Sequence, residues 1–167
     1  MFQADYRRGT KDGDVLGVEP VVGAVQAKLL ALAGKGTMLH QSHQVYLDVV
    51  FPGLPFLPRP PRWHAAEELN VKLKHFQVLV LDVVDVVISK LPRFNSSDRD
   101  DIKAMVERMK VDAAVLAERF EMAVDGFLMD ARAVDLPRYL RNLNRVEREF
   151  LLVQETQVEF PDWLDVP

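Results

Sequence analysis

The residues best suited to chemistry are two aspartates, Asp12 and Asp14, separated by a single glycine. They lie in a short segment, Thr10 to Leu16, that the sequence predicts to be extended. Side chains alternate along a strand, so both carboxylates are expected on the same face. Two carboxylates in a shielded site need a cation to neutralise them, or their pKa values must rise. Mg²⁺ is the natural cation, because it prefers hard oxygen ligands and keeps positions open for substrate phosphates.

A third carboxylate, Asp48, lies between Leu47 and Val49 in the middle of the most clearly predicted strand. One helix-length connection separates Asp14 from Asp48, which is enough chain to place their two strands side by side. Three carboxylates arranged in this way can hold two metal ions, one activating the attacking oxygen and one binding the leaving phosphates. The alternative interpretation is that the Asp-x-Asp pair marks a turn or the solvated end of a strand.

Local patterns predict the elements that must position these residues. A helix is predicted from Pro20, which suits a first turn, to Ala33, and the glycines that follow can end it. Further strands are predicted over residues 45–51 and 75–81, and further helices over 98–108, 112–129 and 137–153. Residues 82–90 leave two alternatives open, a strand favoured by their valines or a short helix capped by Asp82.

The order of these elements predicts the fold class. Strands and helices mix in the first half of the chain, and the second half is helical, which indicates an α/β (α+β) fold with a small mixed sheet. We expect a core of residues 1–92 and a helical lobe of residues 93–167 within one compact unit. The proline-rich stretch from Pro52 to Pro61 is expected to be a rigid, extended loop in that unit.

Length and composition exclude several classes of protein. A chain of 167 residues is long enough for one core, and 49% hydrophobic with 28% charged residues is typical of a globular protein. The chain has no cysteine, which excludes a disulfide scaffold and a thiolate metal site. Its net charge of −4 argues against a generally basic nucleic-acid-binding protein. With no predicted signal peptide and no run of about 18 apolar residues, we expect a cytoplasmic protein.

Several of these residues also carry a resemblance to a known family. The segment Arg8-Gly9-Thr10-Lys11-Asp12-Gly13-Asp14-Val15, followed by Tyr46-Leu47-Asp48-Val49, resembles the Arg-x-Thr-x-Asp-x-Asp and later Asp pattern of the polymerase-beta-like nucleotidyltransferase superfamily. The segment from Asp85 to Arg93 and the segment from Asp98 to Ile102 are similar to a later motif of the AbiEii and MenT toxin nucleotidyltransferases. The resemblance covers roughly residues 8–109.

The resemblance implies a minimal nucleotidyltransferase fold and a specific reaction. A hydroxyl group would attack the α-phosphate of a nucleoside triphosphate, in the presence of Mg²⁺ or Mn²⁺, and release pyrophosphate. Asp12 and Asp14 would bind metal, and Asp48 would bind metal or act as the base. The resemblance also implies nucleotide contacts by Arg8, Thr10 and Lys90, and a role for Asp98 or Asp101 in bracing the helical lobe. The acceptor in such toxins is typically RNA, often a tRNA end, and an antitoxin protein is the expected partner.

The sequence leaves a second function open. Members of this superfamily normally carry a Gly-Gly or Gly-Ser pair upstream of the paired aspartates, and its backbone amides hold the triphosphate. The eleven residues before Asp12 contain one glycine, Gly9. The alternative is therefore a nucleotidyltransferase-like protein that binds or regulates without catalysis.

The C-terminal helices carry two further patterns. The stretch from Ser97 to Asp100 has the form of a capping box. One face of the last helix is arginine-rich, and we interpret it as solvated because Glu147 and Glu149 lie close by, with contact to RNA or to an acidic partner as the alternative. Its members are Arg138, Arg141, Arg145 and Arg148. The opposite, apolar stripe is predicted to pack in the core or in a protein interface.

Overall fold

The computed structural model describes residues 12–15, 23–49, 55–72, 74, 77–109 and 111–164, and for residues 12–15, 48, 49 and 69 it describes the backbone alone. The chain divides into two compact units, which we call the N-terminal unit (Met1–Leu54) and the C-terminal unit (Pro55–Pro167). The boundary that the sequence suggests after residue 92 is not tested by this division and stays a prediction.

The described part of the N-terminal unit contains two strands and two helices in the order β1 (Asp12–Val15), α1 (Gly23–Ala33), α2 (Met38–His43) and β2 (Tyr46–Val49). The strands β1 and β2 pair in parallel. The sequence did not predict α2, a helix of six residues. The Thr37 hydroxyl caps its first turn and accepts a hydrogen bond from the His40 N–H at 3.3 Å. The unit therefore has the strand–helix–strand connection expected from the spacing of the aspartates.

The C-terminal unit begins with an antiparallel strand pair and continues with helices. Its described elements are β3 (Trp63–Ala65), α3 (Glu67–Asn70), β4 (Leu79–Leu81), α4 (Val83–Lys90), α5 (Ser96–Met109), α6 (Ala113–Phe127) and α7 (Leu136–Val146). Short helical turns cover Ala131–Asp135, Glu147–Leu151 and Asp162–Leu164. The strand β3 pairs with β4, and no strand was predicted at β3.

The choice left open at residues 82–90 is decided in favour of the helix. Asp82 is its N-cap, and a side-chain oxygen of Asp82 accepts a hydrogen bond from the Val84 N–H at 2.9 Å. The valines that favour a strand are tolerated because Val84 and Val87 are buried in the core. The apolar residues of this segment are therefore explained by the buried face of a helix, and they do not indicate a strand.

The core of the C-terminal unit is formed by the apolar faces of the helices. The stripe predicted on the last helix packs in this core: Leu136, Tyr139, Leu143 and Val146 are buried, and Leu140 and Phe150 are partly buried against them. The predicted fold class, α+β with a helical second half, is confirmed. The architecture is consistent with the minimal nucleotidyltransferase fold, although the described strands form two separate pairs, one parallel and one antiparallel. No helix in the described ranges is long and apolar enough to cross a membrane.

Candidate active site

The parallel pairing of β1 and β2 fixes the relative positions of the three predicted catalytic aspartates. Asp14 is the direct register partner of Asp48, and Asp12 is the partner of Tyr46. Paired residues of neighbouring strands share a face of the sheet, and so do residues two apart on one strand. Asp12, Asp14 and Asp48 therefore occupy positions on one face, which we call the carboxylate face.

The parallel orientation of the two strands depends on the segment that connects them. The helix α1 carries the chain from the end of β1 back to the start of β2, as a parallel pair requires. It ends at Gly34, whose N–H donates to the Leu30 carbonyl oxygen at 2.8 Å. A Cβ atom at Gly34 would lie 2.4 Å from that oxygen, so the helix end requires glycine.

The loop after α1 lies beside β2. Gly34 forms a parallel bridge with Leu47, the residue between Tyr46 and Asp48. The turn continues through Gly36, whose φ of +88° favours glycine. The Thr37 hydroxyl then donates to the Gly34 carbonyl oxygen at 2.8 Å and closes the turn. In the sequence, Gly34 and Gly36 indicate only the end of the first helix, and the two glycines that flank Lys35 are the signal for this loop.

Other predicted site residues are placed as follows. Arg8 and Thr10 lie outside the described residues. Among the side chains that the structure describes, no group of three or more His, Cys, Asp or Glu residues is arranged to hold a metal ion. This statement does not extend to Asp12, Asp14 and Asp48, for which the structure describes only the backbone.

Lys90 lies at the end of α4 among carboxylates of α5. Its ammonium group is 3.3 Å from Asp98 Oδ1 and 2.9 Å from Asp101 Oδ2. Asp98 is buried and also accepts two hydrogen bonds from the Arg93 guanidinium, at 2.7 and 2.6 Å. These contacts join α4 to α5 and give both aspartates the structural role that the resemblance implies. A contact between Lys90 and a triphosphate stays a prediction.

The cap of α5 differs from the prediction. The capping pair is Asn95 with Asp98, in which the Asp98 N–H donates to Asn95 Oδ1 at 2.9 Å and the Asn95 N–H donates to Asp98 Oδ2 at 3.3 Å. The helix accordingly begins at Ser96, and the box expected from Ser97 to Asp100 is wrong by two residues. The Asp98 carboxylate therefore serves the cap and also binds Arg93 and Lys90.

The Asp98 carboxylate gives a pH-dependent prediction. Its hydrogen bonds from Arg93 lower the pKa of Asp98 below the ordinary value, against the opposing effect of burial, and Lys90 lowers it further. A depressed pKa in the folded state stabilises the protein above the pKa of the unfolded state, about 4. That stabilisation disappears as the pH falls through the pKa of the folded state. We expect urea unfolding to show Asp98→Asn as less stable than wild type at neutral pH, with a difference that shrinks below pH ~4.

The control for this measurement is Glu107→Gln, which removes an exposed carboxylate paired with Lys103 at 3.9 Å. Its stability difference from wild type should stay small throughout the same pH range. A difference between Asp98→Asn and wild type that is constant from neutral to acidic pH would contradict the account of Asp98.

Three of the four arginines on this face of the last helix are engaged in exposed ion pairs. Arg138 lies 3.1 Å from Asp135, Arg145 lies 3.2 Å from Glu149, and Arg148 pairs with Glu155. Such pairs are typical of a solvated helix face. These contacts agree with the interpretation given to this face, and binding of RNA or of an acidic partner there stays a prediction.

The strand–helix–strand geometry and the carboxylate face indicate a protein of the nucleotidyltransferase class. A family model described as "Nucleotidyltransferase of unknown function (DUF6036)" matches residues 1–151, which is most of the chain. The chain belongs to this family of nucleotidyltransferases. The comparisons with curated proteins and with solved structures gave no match. Family membership supports nucleotidyl transfer as the general activity and a nucleotide as the substrate.

Proposed function

We propose that this protein is a Mg²⁺-dependent nucleotidyltransferase that transfers a nucleoside monophosphate from a nucleoside triphosphate to a hydroxyl group. The observation that carries the proposal is the register of β1 and β2, which pairs Asp14 with Asp48. Membership of the nucleotidyltransferase family supports the reaction class. Without the register, the same aspartates would be consistent with a turn or a solvated strand end.

The donor set on the carboxylate face fits Mg²⁺ or Mn²⁺. All three groups are carboxylates, which are hard oxygen ligands, and neighbouring strands place Asp14 and Asp48 about 4.8 Å apart in the backbone. Bound metal would supply charge neutralisation at the phosphates and at the attacking oxygen. Asp12 and Asp14 are proposed as metal ligands. Asp48 is proposed as a metal ligand or as the base that accepts the proton of the acceptor hydroxyl.

The reaction proceeds by one substitution at phosphorus. The acceptor oxygen forms a bond to the α-phosphorus, and the bond between that phosphorus and the bridging oxygen of the β-phosphate breaks. Pyrophosphate leaves, and the hydroxyl proton passes to the base. The contribution of the protein is to hold the triphosphate and the acceptor in line on one face of a sheet.

The acceptor is proposed to be RNA, and the biological role that of a toxin in a toxin–antitoxin pair. The support for both is the resemblance of residues 8–109 to the AbiEii and MenT proteins. On this proposal, an antitoxin protein is the partner. Cytoplasmic location agrees with an RNA substrate and is likewise proposed.

An assay of nucleotide transfer to RNA tests the proposed function. Each common nucleoside triphosphate, labelled at the α-phosphate, is incubated with the protein, total RNA and Mg²⁺ or Mn²⁺. We expect label to appear in RNA for at least one nucleotide, pyrophosphate to accumulate in equal amount, and EDTA to stop both. Glu107→Gln is the matched carboxylate control and should transfer label at the wild-type rate.

Absence of transfer with every nucleotide and both metals would contradict the proposed reaction with RNA. Binding of nucleotide in that case would indicate the alternative function, a nucleotidyltransferase-like protein that binds or regulates without catalysis. Transfer of label to protein instead of RNA would contradict the proposed acceptor and retain the reaction.

A further inference from the structure

An exposed lysine lies next to the carboxylate face. Lys35 follows Gly34, which bridges to Leu47, and its ammonium nitrogen lies 5.8 Å from the centroid of the Tyr46 ring. Tyr46 is two residues from Asp48 on β2 and is the register partner of Asp12. Tyr46 therefore belongs to the carboxylate face, and the ammonium group over its ring lies on that side of the sheet.

Lys35 has no carboxylate partner among the side chains that the structure describes. Its side chain is exposed, so the positive charge is available to a ligand. The described part of the N-terminal unit contains one other lysine, Lys28, and no arginine. Of these two lysines, Lys35 is the one whose ammonium group approaches a residue of the carboxylate face.

A histidine on the following helix holds the loop in place. The Gly36 N–H donates to His40 Nδ1 at 2.9 Å, and the His40 ring meets the Tyr46 ring edge to face, with centroids 4.8 Å apart. Because Nδ1 accepts this hydrogen bond, the neutral ring carries its proton on Nε2, which is then a donor. His40 and Lys35 therefore approach the same tyrosine ring, and each side chain carries a hydrogen-bond donor.

We propose that Lys35, positioned by Gly36 and His40, binds the triphosphate of the nucleotide at the carboxylate face. The inference rests on the proposed function, since it assigns a polyphosphate ligand to the same face. Three carboxylates repel a triphosphate, and an ammonium group beside them offsets part of that repulsion. Gly34 avoids a clash with the Leu30 carbonyl oxygen at the end of α1, and Gly36 allows the positive φ of the turn. The Thr37 and His40 hydrogen bonds keep the loop ordered before the ligand binds.

Inorganic tripolyphosphate tests this assignment without any assumption about which nucleobase the protein recognises. Calorimetric titration into the wild-type protein, with and without Mg²⁺, is compared with Lys35→Gln, Lys35→Arg and Lys28→Gln. We expect Lys35→Gln to weaken binding about tenfold or more, as loss of a charge-assisted hydrogen bond does. Lys35→Arg keeps the charge and should bind more tightly than Lys35→Gln. Lys28→Gln makes the same change elsewhere in the unit and should bind as wild type does.

Mg²⁺ titration without phosphate distinguishes phosphate binding by Lys35 from metal binding by the carboxylate face. Lys35→Gln removes a positive charge beside the carboxylates and should bind Mg²⁺ at least as tightly as wild type. A merely unfolded variant would lose both ligands. Tripolyphosphate binding that depends on Lys35 but not on Mg²⁺ would retain the inference and contradict the metal site. Equal tripolyphosphate affinity of Lys35→Gln and wild type, equal loss in Lys28→Gln, or no binding by wild type would overturn the inference.

Discussion

Asp85→Ala is expected to destabilise the C-terminal unit by about 3–5 kcal/mol, because it leaves a buried guanidinium without its counter-charge. Asp85 is 0% exposed and Arg119 is 2% exposed. The Arg119 guanidinium donates to Asp85 Oδ1 at 2.9 Å from Nε and to Oδ2 at 2.6 Å from Nη2. Each partner is further bound to the chain before β3, since Asp85 accepts from the Arg62 N–H at 2.7 Å and Arg119 donates to the Pro60 carbonyl oxygen at 3.1 Å.

Urea unfolding of single and double variants measures this effect. Glu107→Ala removes a carboxylate from an exposed pair and should change the free energy of unfolding by no more than about 0.5 kcal/mol. Asp85→Leu combined with Arg119→Met removes both charges and should recover a substantial part of the loss, because no buried charge is left without a partner. A loss below about 1 kcal/mol in Asp85→Ala would contradict the account of this pair.

The structure shows which parts of the fold could be predicted from the sequence. The last helix was predictable because its buried residues recur at helical spacing within one segment. The Asp85–Arg119 pair was not, since its partners are 34 residues apart and no sequence pattern links them. A charge in the run of valines around Asp85 was the available signal.

Phe56 shows the same limit in the proline-rich loop. The prolines predict an extended loop, but they do not predict that the Phe56 ring packs in the core of the C-terminal unit, with its centroid 5.5, 5.3 and 5.0 Å from those of Phe120, Phe127 and Tyr139. Loop composition indicates backbone conformation, and the burial of one side chain depends on helices that follow much later in the chain.

The candidate site was predictable in its residue types and less so in its geometry. The spacing of Asp12 and Asp14 and the strand around Asp48 indicate a shared face. Alternation alone leaves the register between the two strands undetermined, and a shift of one residue would place Asp48 on the opposite face. The loop with Lys35 was missed because its position depends on the bridge from Gly34 to Leu47, which no local pattern indicates.

Removal of a carboxylate from the face has the second large expected effect. If Asp12, Asp14 and Asp48 are all ligands of the bound metal, Asp48→Ala should weaken Mg²⁺ binding by more than about a hundredfold. Loss of a group that only supports a ligand already lowers metal affinity about 10- to 100-fold. Asp12→Ala should have a similar effect although Asp12 lies on the other strand. A similar loss of Mg²⁺ affinity in both variants is expected because the observed register places Asp12 and Asp48 on the same face.

Calorimetric titration of Mg²⁺, alone and with a nucleoside triphosphate, tests the carboxylate face most directly. Wild type and Glu107→Ala should bind equally, and Asp12→Ala and Asp48→Ala should lose binding while circular dichroism shows them folded. Wild-type Mg²⁺ affinity in Asp48→Ala alone would assign Asp48 the role of base. Failure of wild type to bind either Mg²⁺ or nucleotide, or wild-type affinity in Asp12→Ala, would contradict the proposed metal site on the carboxylate face.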